Sequence, residues 1–414
     1  MQKHNECVVI TGMGLVTPLG KGLDENWDNL KNGHSGVRTI SLFDASDLST
    51  QIAGEVVDFN PLDYVDKKKA RQYDRFIHLS IAAGDMAMQD AGLDAETLPS
   101  DRTGILVGSG MGGMETFVEN ALTLEKRGHR RVSPFFVPSI ITNMAPGLLS
   151  IRYGTRGVNF AISSACATGA HALGEACRMI QRGEADVMIA GGSEAALIPL
   201  GVAGFIALKA LSARNNEPEK ASRPFDKGRD GFVMGEGSGI LILENERHAR
   251  ARNAQIYARF SGIGYSSDAY HPTAPSSCGS GASLAMKNAI YDAGIDPGDI
   301  DYINAHGTST HAGDRAEVAA AKSVFNGNAA DVSISSTKSM TGHMLGAAGS
   351  IEAIFSILAL KHGELPPTIN LDDLDPECEL NHVANKSRKH AAKFALSNSF
   401  GFGGTNSSLI FEKM

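Results

Sequence analysis

Short apolar runs, each closed by a polar or glycine-rich corner, recur along this chain and read as strands: Val8–Ile10, Thr103–Val107, Val158–Ile162, Leu241–Leu243, Asp301–Ala305 and Leu409–Phe411. Val158–Ile162 is predicted to be buried. Longer segments rich in Ala, Leu and Met lie between them and read as helices, the plainest running from about Ala167 to Gln181. Two more helices close on Ala-Gly stops, at Ala91-Gly92 and Ala293-Gly294. Strands that alternate with helices predict an α/β fold with mixed or mostly parallel sheets. The longest nearly apolar stretch, Ala195–Leu208, lies between Glu194 and Lys209 and is broken by Pro199, Gly201 and Gly204, so no bilayer span is expected there.

The pattern repeats. Ala83, Ala87 and Asp90–Asp94 match Ala285, Ala289 and Asp292–Asp296. Ile162-Ser163-Ser164 and Thr168-Gly169 match Ile334-Ser335-Ser336 and Thr341-Gly342. Phe232, Gly235 and Leu241–Glu244 match Phe400, Gly403 and Leu409–Glu412. Three matches in one order predict two related halves, residues 1–254 and 255–414, packed as layers with helices between and outside the sheets. The corner at Cys166 then corresponds to the corner holding Lys338 and His343, and a site between the halves would join them.

Composition narrows the class. The 414 residues are 42% hydrophobic and 20% charged, as in ordinary globular proteins. A net charge of −8 argues against non-specific nucleic-acid binding. The segment Met1–Glu6 lacks the apolar region of a signal peptide, so a cytoplasmic protein without membrane insertion is expected. Five scattered cysteines without a CxxC pair argue against zinc and disulfide frameworks, and no metal site is expected.

Cys166 stands at a strand-to-helix corner among small residues. Free N–H groups and the helix dipole there are expected to favour a thiolate and acyl chemistry. His306 and His343 also follow strand ends, where α/β proteins place ligand chemistry. His4, His34, His129, His248, His362, His382 and His390 lie in polar surroundings and are expected to be solvated. Gly108–Gly113 fits GxGxxG after a strand, but neither Glu119 nor Glu125 ends a second strand as a ribose-binding acid would.

The segments Ser164–Gly169, Asn304–Thr310, Thr337–His343 and Asn398–Asn406 resemble the motifs of beta-ketoacyl-[acyl-carrier-protein] synthases of the Cys-His-His type. The resemblance covers essentially the whole chain. It implies the thiolase-like fold, a duplicated five-layer α-β-α-β-α arrangement, and an elongating role in fatty acid synthesis. It implies that Cys166 carries the acyl chain as a thioester and that the backbone N–H groups of Cys166 and Phe402 hold the oxyanion. His306 and His343 would promote decarboxylation of malonyl-carrier protein, with Lys338 and Glu352 organising His343. Thr308 and Thr310 would bind the phosphopantetheine arm. Met111 and Phe205 would line the acyl pocket, with Phe400 also in the substrate site, and Gly401–Gly404 would gate it. No metal or redox cofactor is called for.

The partner so implied is an acidic acyl carrier protein, which Lys68, Arg71, Arg130, Arg131 and Lys209 would face. Gln72 departs from the family's often basic residue there. A homodimer is expected, with Met111 near the interface. A synthase of a specialised polyketide or lipid pathway and a type I-like elongating synthase share these motifs. Cys166 disfavours a non-catalytic chain-length partner, and His343 disfavours the thiolase and chalcone-synthase branches.

Overall fold

The computed structural model describes residues 6–325, 329 and 331–414; His4 and the rest of residues 1–5 lie outside them. The first half contributes strands β1 (Val8–Thr17), β2 (Thr103–Gly108), β3 (Asn159–Phe160), β4 (Val187–Glu194) and β5 (Gly237–Asn245). The second contributes β6 (Ala258–Ser267), β7 (Tyr302–Asn304), β8 (Ser333–Ser335), β9 (Phe394–Gly401) and β10 (Thr405–Lys413). In the first sheet the order is β1-β5-β4-β2-β3, and in the second it is β6-β10-β9-β7-β8. Each sheet thus repeats one order, its first two pairings antiparallel and its last two parallel. A short ladder, Val9 to Arg259 and Ile10 to Ala258, joins the sheets.

The helices that matter are α1 (Arg75–Asp90), α2 (Met114–Arg127), α3 (Met144–Tyr153), α4 (Thr168–Gln181), α5 (Pro199–Ala207), α6 (Ser280–Ala293), α7 (His311–Phe325) and α8 (Ala348–His362). Helices α4 and α8 pack between the sheets, α1 and α3 cover the first sheet outside, and α6 covers the second with α7 against it. This is the five-layer order. Helix α8 is buried through Leu360 and is mostly apolar, with Ser350, Glu352 and Ser356 buried among its aliphatic residues. The stretch Leu345–His362 is accordingly long and apolar enough to cross a bilayer, yet 89% of it is buried in the protein.

The two central helices meet through a reciprocal contact. A Cβ on Gly169 would lie 2.8 Å from the Ser350 nitrogen, and one on Gly349 would lie 2.7 Å from the Ala170 nitrogen. Only glycine permits such backbone approach. The pairing equates Gly169 with Gly349, and so Cys166 with Gly346. That corrects the middle match of the sequence repeat: Thr341-Gly342 belongs to an insertion, and the equivalent of the Cys166 corner is Leu345–Ala347. Ala165 and Leu345 adopt matching left-handed conformations, with φ of 49° and 47°. The outer matches agree with the structure. Asp90 accepts from the Met13 N–H and Asp292 from the Ile263 N–H, both at 2.9 Å.

Strand β3 also differs from expectation. Only Asn159 and Phe160 pair, and both are exposed rather than buried, because β3 is the outer edge of the first sheet.

Candidate active site

The nucleophile corner is built by the chain's tight passage from β3 into α4. Ala165 in the left-handed region costs about 1–2 kcal/mol. Thr168 holds the turn: its Oγ1 accepts from the Ser164 N–H at 2.8 Å and donates to the Ala165 carbonyl at 2.7 Å. Cys166 emerges half-buried against an apolar wall that includes Phe205, Phe232 and Leu345.

A cavity of about 550 Å³ opens over Cys166. Of the residues named from the sequence, it gathers Cys166, His306, His343, Phe400, Phe402, Thr308, Thr310, Met111, Phe205 and Lys209. Its walls therefore come from both halves. The rings of His306 and His343 lie edge to face with centroids 5.3 Å apart, and His306 also leans on Phe400 at 5.7 Å. Phe205 meets Phe232 edge-on at 5.3 Å and lies 6.5 Å from Phe402. The Thr308 and Thr310 hydroxyls are 3.1 Å apart.

The loop Gly401–Gly404 is the turn of the β9–β10 hairpin, with φ of 87° at Gly403 and 71° at Gly404. Gly403 donates to the Pro272 carbonyl at 2.6 Å, and Asp268 donates to the Gly404 carbonyl at 2.8 Å. This sets Phe402 on the same cavity wall as Cys166, and its backbone N–H opposes the rise of the thiol. A backbone donor at the nucleophile is where an oxyanion would form.

Behind the histidines, Lys338 and Glu352 form an ion pair with side chains 1% and 0% exposed. Burial raises the Glu352 carboxyl to about 7 against the pull of Lys338. Burial, and then the Lys338 charge, hold both imidazoles well below the ordinary histidine range, with His343 further depressing His306. Both rings are therefore neutral at physiological pH. Their Nδ1 atoms are buried without a hydrogen-bond partner among the described residues.

The thiolate expectation is corrected. Burial pushes the Cys166 thiol up to about 12, with Glu194 and Glu352 adding to the rise, against the opposing Lys338 charge and Phe402 N–H. Desolvation outweighs the corner's donors, so the resting group is a thiol. His382 corrects another expectation: it is 9% exposed, its Nε2 2.7 Å from the Cys378 carbonyl oxygen.

The five basic residues named from the sequence are all exposed. Lys209 stands on the cavity itself. Lys68 lies on a helical turn ended by Arg71, and Arg130 and Arg131 lie on another, His129–Arg131. The Gln72 carbonyl ties the Lys68 turn to the short helix Phe136–Ile140 by accepting from Ser139 Oγ at 2.5 Å.

Three buried carboxylates escaped the sequence reading. Glu317 accepts from the His306 and Gly307 N–H groups at 2.8 and 2.7 Å and from Asn398 at 3.0 Å, fixing the His306 turn. Asp314 accepts from Ser309 and Phe225 N–H groups at 3.1 and 2.8 Å and pairs with Arg229, fixing the threonine turn. Glu194 lies beneath Gly110 and Met111 and accepts from both N–H groups. The glycine-rich turn at Gly108–Gly113 thus already holds the protein's own carboxylate, which leaves those donors unavailable to a dinucleotide pyrophosphate.

A family profile described as Beta-ketoacyl synthase, N-terminal domain, matches residues 5–249, and one described as Beta-ketoacyl synthase, C-terminal domain, matches residues 257–372. The chain belongs to the beta-ketoacyl synthase family. It is 52% identical over 408 residues to the 3-oxoacyl-[acyl-carrier-protein] synthase 2 of Vibrio harveyi, covering 98% of each chain. It is 50% identical over 410 residues to the protein of that name from Staphylococcus aureus (strain COL), covering 99% of each. Among solved structures, a beta-ketoacyl synthase from Burkholderia phymatum STM815 matches with a TM-score of 0.92 at 38% identity, covering 99% of this chain and 100% of that one. A ketosynthase solved with a type II polyketide acyl-carrier protein matches with a TM-score of 0.92 at 35% identity, with the same coverage.

Proposed function

We propose that the protein catalyses decarboxylative condensation of malonyl-acyl carrier protein with an acyl chain held on Cys166, in fatty acid elongation. The observation that carries this is the convergence of Cys166, Phe402, His306 and His343 on one cavity, with the Lys338–Glu352 ion pair behind them. In the first step the Cys166 sulfur attacks the acyl thioester carbonyl. The Cys166 and Phe402 N–H groups receive the oxyanion, and the carrier's thiol departs with the proton the cysteine gives up. Malonyl-carrier protein then enters along Thr308 and Thr310. Neutral His306 and His343 each carry one N–H to donate to its thioester oxygen, where enolate charge develops as carbon dioxide leaves. The enolate carbon attacks the acyl-Cys166 carbonyl. Cys166 departs, recovers a proton, and the product is a 3-oxoacyl-carrier protein two carbons longer. Carbon dioxide loss drives the step, so the reading needs no metal or redox cofactor.

The acyl carrier protein is the proposed partner, docking on Lys68, Arg71, Arg130, Arg131 and Lys209. A homodimer and a cytoplasmic setting belong to the same reading. The dimer is supported by the open edge of β3, with Phe160 37% exposed, and by the exposed Phe117, Phe135, Val137 and Ile151 on nearby segments. Two experiments test the proposal. Intact-mass measurement after incubation with acyl-carrier protein should show one acyl group on the wild type and none on Cys166→Ala. Sedimentation should give twice the chain mass.

A further inference from the structure

We propose that Glu194 is a positioning residue that sets chain-length preference, by clamping the Ser109–Met111 turn to the Leu345–Ala347 elbow. The inference rests on the condensation reading above, because it assigns the acyl chain to the cavity that Met111 lines.

Glu194 ends β4 and is fully buried. Among the described residues it has no cationic partner; its four hydrogen bonds come from neutral donors. Oε1 accepts from Ser109 Oγ at 2.8 Å and the Met111 N–H at 3.1 Å. Oε2 accepts from the Gly110 N–H at 2.9 Å and the Gly346 N–H at 3.0 Å. A Cβ on Gly110 would lie 2.7 Å from Oε2, and one on Gly346 would lie 2.6 Å from it, so the two glycines let both backbones reach one oxygen. An ionised group held this deep by neutral donors is costly unless every lone pair is used, and here both oxygens are doubly engaged.

The duplication gives the arrangement its meaning. Gly346 occupies the place in the second half that Cys166 occupies in the first. The second elbow turns its N–H to an internal carboxylate, where the first turns its backbone toward a substrate. One partner of that carboxylate, Met111, lines the cavity. Leu345, beside the other partner, lines it too and follows His343 by two residues. An acyl tail that reaches Met111 therefore bears on a turn whose backbone is held by Glu194. A shorter chain does not.

Glu194→Gln keeps the shape but turns one accepting oxygen into an NH2 group, which faces two donors and accepts from neither. The turn then shifts off its seat. The experiment measures the kcat/KM of Cys166 acylation by intact mass, with acyl-carrier proteins of rising chain length. Glu194→Gln should lower the value about tenfold for chains long enough to reach Met111 and less than about threefold for short ones. Ser109→Ala, which removes one donor without leaving a charge misplaced, should shift the profile the same way by about threefold. In a Met111→Ala background, Glu194→Gln should add no further change in profile, because its effect runs through Met111.

A loss uniform across chain lengths, or additive with Met111→Ala, overturns the proposal. A normal wild-type profile that neither variant alters overturns it while leaving the functional reading intact. Failure of the wild type to take any acyl chain overturns both.

Discussion

Replacing Lys338 with Met removes a buried charge on which a carboxylate and two imidazoles depend. Lys338 is the ion-pair partner of Glu352, whose second oxygen has no hydrogen-bond partner among the described residues. Breaking a buried pair costs about 3–5 kcal/mol. The cost should fall near the lower end, about 3 kcal/mol, because Glu352 already titrates at about 7 and rises further without Lys338, taking up a proton instead of staying charged. Unfolding entropy is about 2.1 cal/mol/K per residue. For 414 residues that gives about 0.9 kcal/mol/K, so Tm should drop by about 3–4 °C. Adding Glu352→Leu should recover most of this, since an apolar pair of similar volume tolerates the site. Activity should not recover. The variant lacks the positive charge behind the two histidines, and condensation should fall by about a hundredfold or more in both the single and the double variant. Calorimetry and malonyl decarboxylation, measured on the same preparations, separate the two effects. An unchanged Tm and rate in Lys338→Met, or recovery of activity in the double variant, would refute the reasoning.

Three further outcomes are expected. The raised Glu352 carboxyl binds its proton more tightly in the folded state, so its contribution to stability is fullest below its ordinary value of 4.5 and is lost as pH rises through about 7; Glu352→Gln should flatten Tm against pH in that window, as calorimetry would show. Phe402→Ala should slow acyl transfer to Cys166 more than it alters the KM for malonyl-carrier protein, and stopped-flow acylation showing the reverse would place the gate elsewhere. Lys68→Glu with Arg71→Glu should raise the KM for carrier protein several-fold at low salt and progressively less as salt rises; kinetics indifferent to salt would remove these residues from the docking surface.

Much of this site could be read from the chain because its chemistry sits in contiguous motifs. Cys166, His306, His343 and Phe402 each come with small neighbours that mark a corner, and the cavity gathers all four. The repeat was legible at its ends because Asp90 and Asp292 make the same backbone bond, and failed in the middle because the second half inserts the Lys338–Thr341 turn before its elbow. The ionisation of Cys166 was misread because a dipole is local and visible in sequence, whereas desolvation depends on what folds over the thiol. Glu194 and Glu317 were overlooked for a related reason. Glu194 is a lone carboxylate at the end of an apolar strand and Glu317 one of several charges on its helix, and Glu194 gains its role from Gly346, far along the chain. Val158–Ile162 looked buried because an apolar edge strand and a central one share a composition.

The central claim is tested most directly by mass spectrometry of the complete reaction. Purified protein is mixed with malonyl-carrier protein and acyl-carrier proteins of rising chain length, beside the Cys166→Ala variant. The account predicts 3-oxoacyl-carrier proteins two carbons longer from the wild type, and from Cys166→Ala no condensation product but continued slow malonyl decarboxylation, because His306 and His343 remain. Condensation that survives in Cys166→Ala, or a wild type that yields neither product nor acyl adduct with any chain, would contradict it.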